Sequence, residues 1–145
     1  MSDASWELQK ALLAALTENS PETIALGRVY DRVPDQASSA TAPDDAFPYV
    51  AIGEMDSIPD DVDGASGRDD GEMETITLHI WSRYQGQKEV KQVMQQIKDR
   101  LHNQEIAVTG RTSSLCWVRS RRSFLDPDGK TRHGVMSVEV VHRNS

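Results

Sequence analysis

Nine carboxylates stand between Glu54 and Glu74 against a single base, Arg68: Glu54, Asp56, Asp60, Asp61, Asp63, Asp69, Asp70, Glu72 and Glu74. Oxygen donors at that density are what a hard divalent cation takes as ligands, so calcium is the first chemistry to test. With Gly64 in the glycine place of an EF-hand loop, Asp61 and Asp63 fall on ligand positions and Asp70 on the last, but Pro59 occupies the first, where an oxygen ligand is required. Asp126-Pro127-Asp128-Gly129 fails in the same way, with Phe124 in the first place. A solvated charged segment is the default, and no metal is expected. The histidines His79, His102, His133 and His142 show none of the short ligand spacings of zinc sites. His133 and His142 are an odd number of residues apart on one predicted strand, so they should face opposite sides unless a bulge intervenes. G-x-S-x-G, G-x-x-x-x-G-K-[ST] and the dinucleotide fingerprint are absent. Cys116 falls on the inward phase of a predicted strand and reads as a small core residue rather than a nucleophile. No catalytic residue and no cofactor is expected.

Stepping outward, a chain of 145 residues is long enough for one real core and short for two, so a single domain is expected over 1–145. The net charge of -7 and pI near 5.0 argue against nucleic-acid or anionic-membrane binding through the whole surface. The charge is uneven, however. From Arg111 to Arg143 the balance reverses, with Arg111, Arg119, Arg121, Arg122, Lys130, Arg132 and Arg143 opposed by Asp126, Asp128 and Glu139. Opposite fields on one small domain suit self-association as readily as foreign partners. One cysteine allows no intrachain disulfide. No leader-like apolar region and no membrane-length apolar run is present, so folding in a cytosol is expected.

The stretch around which the elements are organised is Glu72–Leu101. Ile76, Leu78 and Ile80 alternate with Thr75, Thr77, His79 and Trp81, which predicts a strand with one core face. After Gly86 the period changes, and Val90, Val93, Met94, Ile97 and Leu101 fall at helical spacing. Burying each large apolar side chain is worth roughly 1.5–3 kcal/mol, so docking this helix on the Ile76/Leu78/Ile80 face is the most favourable local unit. An earlier helix is predicted from about Ser5 to Thr17, with Leu8, Leu12, Ala15 and Leu16 as its stripe. A brief edge strand follows around Val29 and Tyr30, then a flexible loop at about 36–46. FPYVAIGEM gives a further strand, with either Val50 and Ile52 or Tyr49 and Ala51 inward. A second flexible loop is expected at about 57–71. Ile106–Thr109 reads as a short strand or an extended approach. SLCWVRSRRSFL and HGVMSVEVVH flank Asp126-Pro127-Asp128-Gly129 as a hairpin, in which Pro127 suits the first turn position and Gly129 tolerates positive φ. Cys116, Val118, Phe124, Met136, Val138 and Val140 are expected inward. Trp117, Arg119 and Arg121 are expected outward, sharing a face with Thr77, His79 and Trp81. The fold class is therefore α+β, a mainly antiparallel sheet of about four to five strands with two helices on one face and a C-terminal β-hairpin.

Two tryptophans among threonine and arginine on an open sheet face read as an interface patch. GRVYDRVP, FPYVAIGE, ETITLHIWSRYQGQKEVKQVMQQIKDRL and DPDGKTRHGVMSVEV together resemble the tail-completion, or tail-terminator, family of long-tailed bacteriophages and prophages. The resemblance spans Leu8 to Val140, and the W-S-R-Y-x-G run at Trp81–Gly86 is its most particular block. It implies helices on one face of a mainly antiparallel sheet and a non-enzymatic structural protein of the virion. It further implies a ring, usually of about six subunits, that caps the finished tail tube at its head-proximal end and meets a head-side connector or stopper protein. DNA would only pass through the lumen, and no membrane is involved. A cyclic ring needs two unlike, complementary patches. For the subunit or partner interface, Trp81, Arg83, Tyr84, Trp117, Arg119 and Arg121 are the candidates. The acidic segment with Asp60, Asp61, Asp63, Asp69 and Asp70 could pair with a neighbour or line the lumen and repel passing DNA. Rival readings are another head–tail connector ring protein, a small enzyme using a divalent metal in the acidic loop, and a nucleic-acid-binding module using Arg119, Arg121 and Arg122.

Overall fold

The computed structural model describes residues 4–17, 24–31, 46–59, 72–110, 113–127 and 129–143. Helix α1 (Ala4–Thr17) leads through a short 3-10 turn (Ile24–Gly27) to β1 (Val29–Tyr30) and β2 (Tyr49–Pro59). Strand β3 (Glu72–Ser82) is followed by helix α2 (Lys88–Leu101), and the chain closes with β4 (Gln104–Glu105), β5 (Ser113–Leu125) and β6 (Arg132–Arg143). These strands form one mixed sheet in the order β1-β2-β3-β6-β5-β4. Only the β1/β2 pairing is parallel. The architecture is α+β with both helices on one face, as the periodicities predict. Among the described residues the strand count is six rather than four to five, because β1 and β4 each add a two-residue edge pairing. Asp60, Asp61, Asp63, Asp69 and Asp70 lie outside the described residues, as do residues 36–45 of the first expected loop. Ser57, Ile58 and Pro59, expected in the second loop, instead pair with Glu74, Met73 and Glu72, so β2 runs on to Pro59.

The core forms where the two apolar periods meet. Ile76, Leu78 and Ile80 of β3, with Met136 and Val138 of β6, present a fully buried surface, and Val90, Ile97 and Leu101 of α2 are buried with them. Leu8, Leu12 and Leu16 of α1 join the same cluster. Arg100 Nη1 donates to the carbonyl of Ala15 at 3.4 Å and ties the two helices together. On β2 it is Val50 and Ile52 that enter this core, which settles the phase that alternation left open; Tyr49 belongs to a separate cluster on the other face. Helix α2 reaches the sheet closely at Gly134, where a Cβ would lie 2.9 Å from Val90 Cγ2 and 3.2 Å from Met94 Sδ.

Two bulges set which side chains face which way. Between Ile52 and Met55 an extra residue on β2 keeps both on the inner side. Between Val118 and Ser120, Arg119 has no partner of its own on β6, so every residue after it changes face. Arg121 is thereby paired with buried Met136, on the helix side, and Phe124 with His133, on the outer side. Both were expected on the opposite faces, and the bulge is the physical reason for the exchange. The hairpin turn forms as its residues predict: Gly129 N donates to the Asp126 carbonyl at 3.0 Å, with Gly129 at φ 76°. Of the two readings for Ile106–Thr109, a short strand or an extended approach, no strand forms there; the edge strand is Gln104–Glu105, after the chain leaves α2 through Asn103 at φ 58°.

Because inner-face packing is this tight, Leu78→Ala should lower unfolding free energy by about 2–5 kcal/mol. Gly134→Ala, which forces α2 off the sheet, should cost about 1–3 kcal/mol. Urea unfolding monitored by circular dichroism tests both; an unchanged midpoint for Gly134→Ala would show that the helix does not sit against that strand.

Candidate functional site

On the helix-free face, Tyr49, Trp81, His133 and Phe124 stand opposite one another on β2, β3, β6 and β5, forming one row across four strands. Trp81 stacks on the His133 ring at 3.8 Å between centroids and 11° between planes. Phe124 meets the same imidazole edge-on at 4.9 Å, and Tyr49 lies 6.3 Å from Trp81. At its β2 end the row continues into Phe47 and Tyr30, which sit against Tyr49 at 5.2 and 5.8 Å. Burial pushes the Tyr49 phenol up to about 12, against the opposing pull of the Arg83 charge. Arg83 itself is committed here: its guanidinium lies 4.4 Å over the Phe47 ring and its Nε donates to Thr131 Oγ1 at 3.0 Å.

A second imidazole completes the row. His79 Nδ1 and His133 Nε2 are 2.9 Å apart, at hydrogen-bond distance. His79 Nε2 lies 3.4 Å from Glu54 Oε1, and His133 Nδ1 lies 3.9 Å from Asp126 Oδ1. Gly53 makes this arrangement fit, since a Cβ there would come within 2.7 Å of the His79 ring. With both rings charged, two N–H groups would point at each other. Burial, the His79 ring and Arg122 together push His133 down to about 4. Among the described residues, no group of three or more His, Cys, Asp and Glu is arranged to hold a metal ion. The four polar groups form a chain and do not converge on a point.

The interface residues proposed from sequence separate into three places. Trp81 and Arg83 belong to the aromatic row, and Tyr84 follows Arg83 in the chain, 48% exposed. Trp117 and Arg119 lie toward the other end of the outer face. Trp117 is opposite Glu139, which is opposite Thr75, six residues before Trp81 on β3 and so roughly 20 Å away along the strand. Arg119 Nη2 donates to Glu139 Oε1 at 2.6 Å while its guanidinium lies 5.8 Å from the Trp117 ring centre. Arg121 is on the helix side, its Nη1 donating to Gln95 Oε1 at 3.0 Å. The expected single Trp/Arg patch is therefore divided by the length of the strand and by the bulge.

Sequence reasoning missed a buried polar group on the inner face. Glu74, counted among the solvated acids, is fully buried with His142, and Ser114 is 1% exposed. Ser114 Oγ and His142 Nδ1 are hydrogen-bonded at 2.7 Å, and His142 Nε2 lies 3.8 Å from Glu74 Oε2. These are the residue types of a charge-relay triad, but a serine sealed in this way meets no substrate; the Ser114–His142 bond ties β5 to β6, with Glu74 of β3 beside it. The signal was available: Glu74 shares the phase of Ile76 and Leu78, and His142 that of Val140. As predicted, His133 and His142 face opposite sides, because the β3/β6 register runs without interruption.

The His133 imidazole is depressed in the folded state, so its neutral form stabilises the fold fully above the unfolded value near 6.5, and that contribution is lost as pH falls towards about 4. With the side chain only 13% exposed, the loss should be on the order of 3 kcal/mol. Urea unfolding at pH 7.5 and pH 4.5 measures it. The difference between the two pH values should shrink in His133→Gln; an identical pH dependence in the variant would place the acid sensitivity elsewhere.

Three likenesses to known proteins follow this geometry. Residues 10–143 match the family described as tail completion protein gp17. The tail completion protein gp17 of Bacillus phage SPP1 is 25% identical over 142 residues, covering 97% of this chain and 99% of that protein. A chain from the virion of a native gene transfer agent particle superposes with a TM-score of 0.77 over 99% of this chain and 100% of its own length, at 15% identity. That last likeness is one of fold. A match across nearly the whole chain, over the same blocks that carry the aromatic row, establishes that the protein belongs to the tail completion protein gp17 family, structural proteins of phage tails rather than enzymes.

Proposed function

We propose that the chain acts as one domain in an oligomeric ring of about six copies that caps the tail tube at its head-proximal end and offers a new surface to the head-side connector or stopper protein. The observation that carries this reading is the helix-free sheet face. Leu115, Trp117 and Phe124 lie on it 37%, 37% and 42% exposed, beside the polar Arg119–Glu139 pair. Aromatic side chains rimmed by charge are the composition of an association surface. Family membership and the name of the SPP1 relative, a tail completion protein, support its use in finishing a tail. Such a ring acts by geometry. Occupying the growing surface of the last tube subunit stops elongation, and the opposite face then meets a different partner. DNA passes through the lumen, and no membrane takes part; none of the described helices is long and apolar enough to cross one.

Native mass spectrometry over a concentration series should find a species near six times the chain mass of 16.1 kDa, alone or in the presence of tail tubes. Trp117→Ala with Arg119→Glu should leave a folded chain, by circular dichroism, that neither rings nor caps. Unchanged assembly in that variant would remove the outer face from the interface.

A further inference from the structure

Each edge of the sheet is covered only in part. At one edge β1 pairs with Val50 and Ala51, and among the described residues β2 has no neighbour on that side from Met55 to Pro59. At the other, β4 pairs with Leu115 and Cys116, and β5 has none from Arg121 to Leu125. In an antiparallel ladder, pairs that exchange both hydrogen bonds alternate with pairs whose N–H and C=O groups point away. Asp126 N donates to the Thr131 carbonyl, so Leu125, Ser123 and Arg121 turn their backbone groups away from β6. Val50 N donates to the Arg28 carbonyl on β1, so the backbone of its partner Ile80 points away from β2, as does that of Ile76, Glu74 and Glu72. Their partners Met55, Ser57 and Pro59 therefore point outward, Pro59 with its carbonyl alone. Among the described residues nothing hydrogen-bonds to these outward groups. Open edges of this length are templates for a further strand.

The two edges carry opposite charge. On the helix-free face Arg122 is exposed on β5, and Glu54 and Asp56 are exposed on β2. Among the described residues no ion pair engages Arg122 or Asp56. Joining β5 to β5 would set arginine against arginine, and joining β2 to β2 would set acid against acid; only β5 to β2 brings unlike charges together. Three antiparallel pairings separate the two strands, so β5 of one copy and β2 of a similarly oriented neighbour run in opposite directions. With Arg121 opposite Ser57 and Ser123 opposite Met55, outward groups meet outward groups and Arg122 stands directly opposite Asp56. Arg121 and Met55 both lie on the helix side, so the helices of the two copies stay on one side of the joined sheet. In this register the positions held by β4 fall beyond the end of β2, and those held by β1 fall beyond the end of β5. Arg121 is level with Met136 and Ser57 with Val140, so neighbouring copies are offset by four residues, roughly 14 Å. Across four strand spacings of about 4.8 Å this is a tilt of roughly 35°, the tilt at which sheets close on themselves.

We propose that the open edge of β5 at Arg121–Leu125 pairs antiparallel with the open edge of β2 at Met55–Pro59 in a second copy of this chain, so that the sheet runs on from copy to copy. This contact rests on the ring reading above and names the backbone that joins its subunits. A strand from a different protein would satisfy one edge and leave the unlike edge open. A second copy satisfies both, because each chain gives one edge and receives at the other.

The test follows assembly of the full chain by sedimentation velocity and native mass spectrometry, with and without tail tubes. Ser123→Pro removes an N–H that the β5/β6 ladder does not use, so it should fold, by circular dichroism, and raise the concentration needed for assembly about tenfold or more. Arg122→Glu and Asp56→Arg should each weaken assembly, and the two combined in one chain should restore it; this charge exchange decides the matter even if the proline variant fails to fold. In a chain with Arg122→Cys and Asp56→Cys, facing Cα atoms roughly 4.5–5.5 Å apart are within disulfide reach, so oxidation should yield a ladder of covalently joined chains. Either cysteine alone should give no ladder, since Cys116 is buried. If Ser123→Pro folds and rings as wild type does, or if the charge exchange restores nothing and no ladder forms while wild type still rings, the edge contact fails and the ring stands. If open oligomers form without a closed species and the Arg122/Asp56 exchange still governs them, the ring fails and the edge contact stands. A wild type that is monomeric at every concentration, with tubes present and with no ladder, overturns both.

Discussion

One contact holds the molecule in its shape: the apolar stripe of α2 against the inner face of β3 and β6. Val90, Ile97 and Leu101 are buried against Ile76, Leu78, Ile80, Met136 and Val138, and Leu8, Leu12 and Leu16 of α1 close the same cluster. The absence of a side chain at Gly134 lets the helix approach until Val90 and Met94 touch the strand. Everything on the other face is thereby displayed, because alternation puts each neighbouring residue outward once its partner is inward.

That displayed face is ordered rather than merely left over. Four strands contribute one ring each to the row of Tyr49, Trp81, His133 and Phe124, so the aromatic row reports the register of the central sheet. Two neighbouring imidazoles would normally compete for protons, and here burial resolves the competition by keeping His133 neutral. The consequence is an aromatic surface around a neutral His133 at one end of the face and a charged Trp117/Arg119/Glu139 group at the other. A protein that works by offering surfaces to different partners needs such unlike regions on a frame that does not deform.

The inner face carries its own polarity at both ends. At one end Ser114, His142 and Glu74 are sealed within the sheet, where a side-chain hydrogen bond joins Ser114 of β5 to His142 of β6 and Glu74 of β3 lies 3.8 Å from the same imidazole. At the other, the bulge turns Arg121 toward α2, where its Nη1 donates to Gln95 Oε1. A single inserted residue, Arg119, thus decides how the arginine-rich strand distributes its charge between two faces.

The two helices, the central strand, the hairpin turn and the α+β class were legible in the residues, because local periods of two and 3.6 and the Asp-Pro-Asp-Gly turn chemistry act over a few residues. Alternation also foretold that His133 and His142 part, and the block order carried the family. What it could not give was the facing of residues 119–125. Ser120, Arg121, Arg122 and Ser123 include no large apolar side chain to mark a phase, so the bulge leaves no trace in the pattern. The His79–His133 pair, 54 residues apart in the chain, and the grouping of Glu74 with Ser114 and His142 likewise exist only across strands. Sequence determines what each segment prefers by itself; pairing between distant strands decides which side chains meet, and those meetings are set by register.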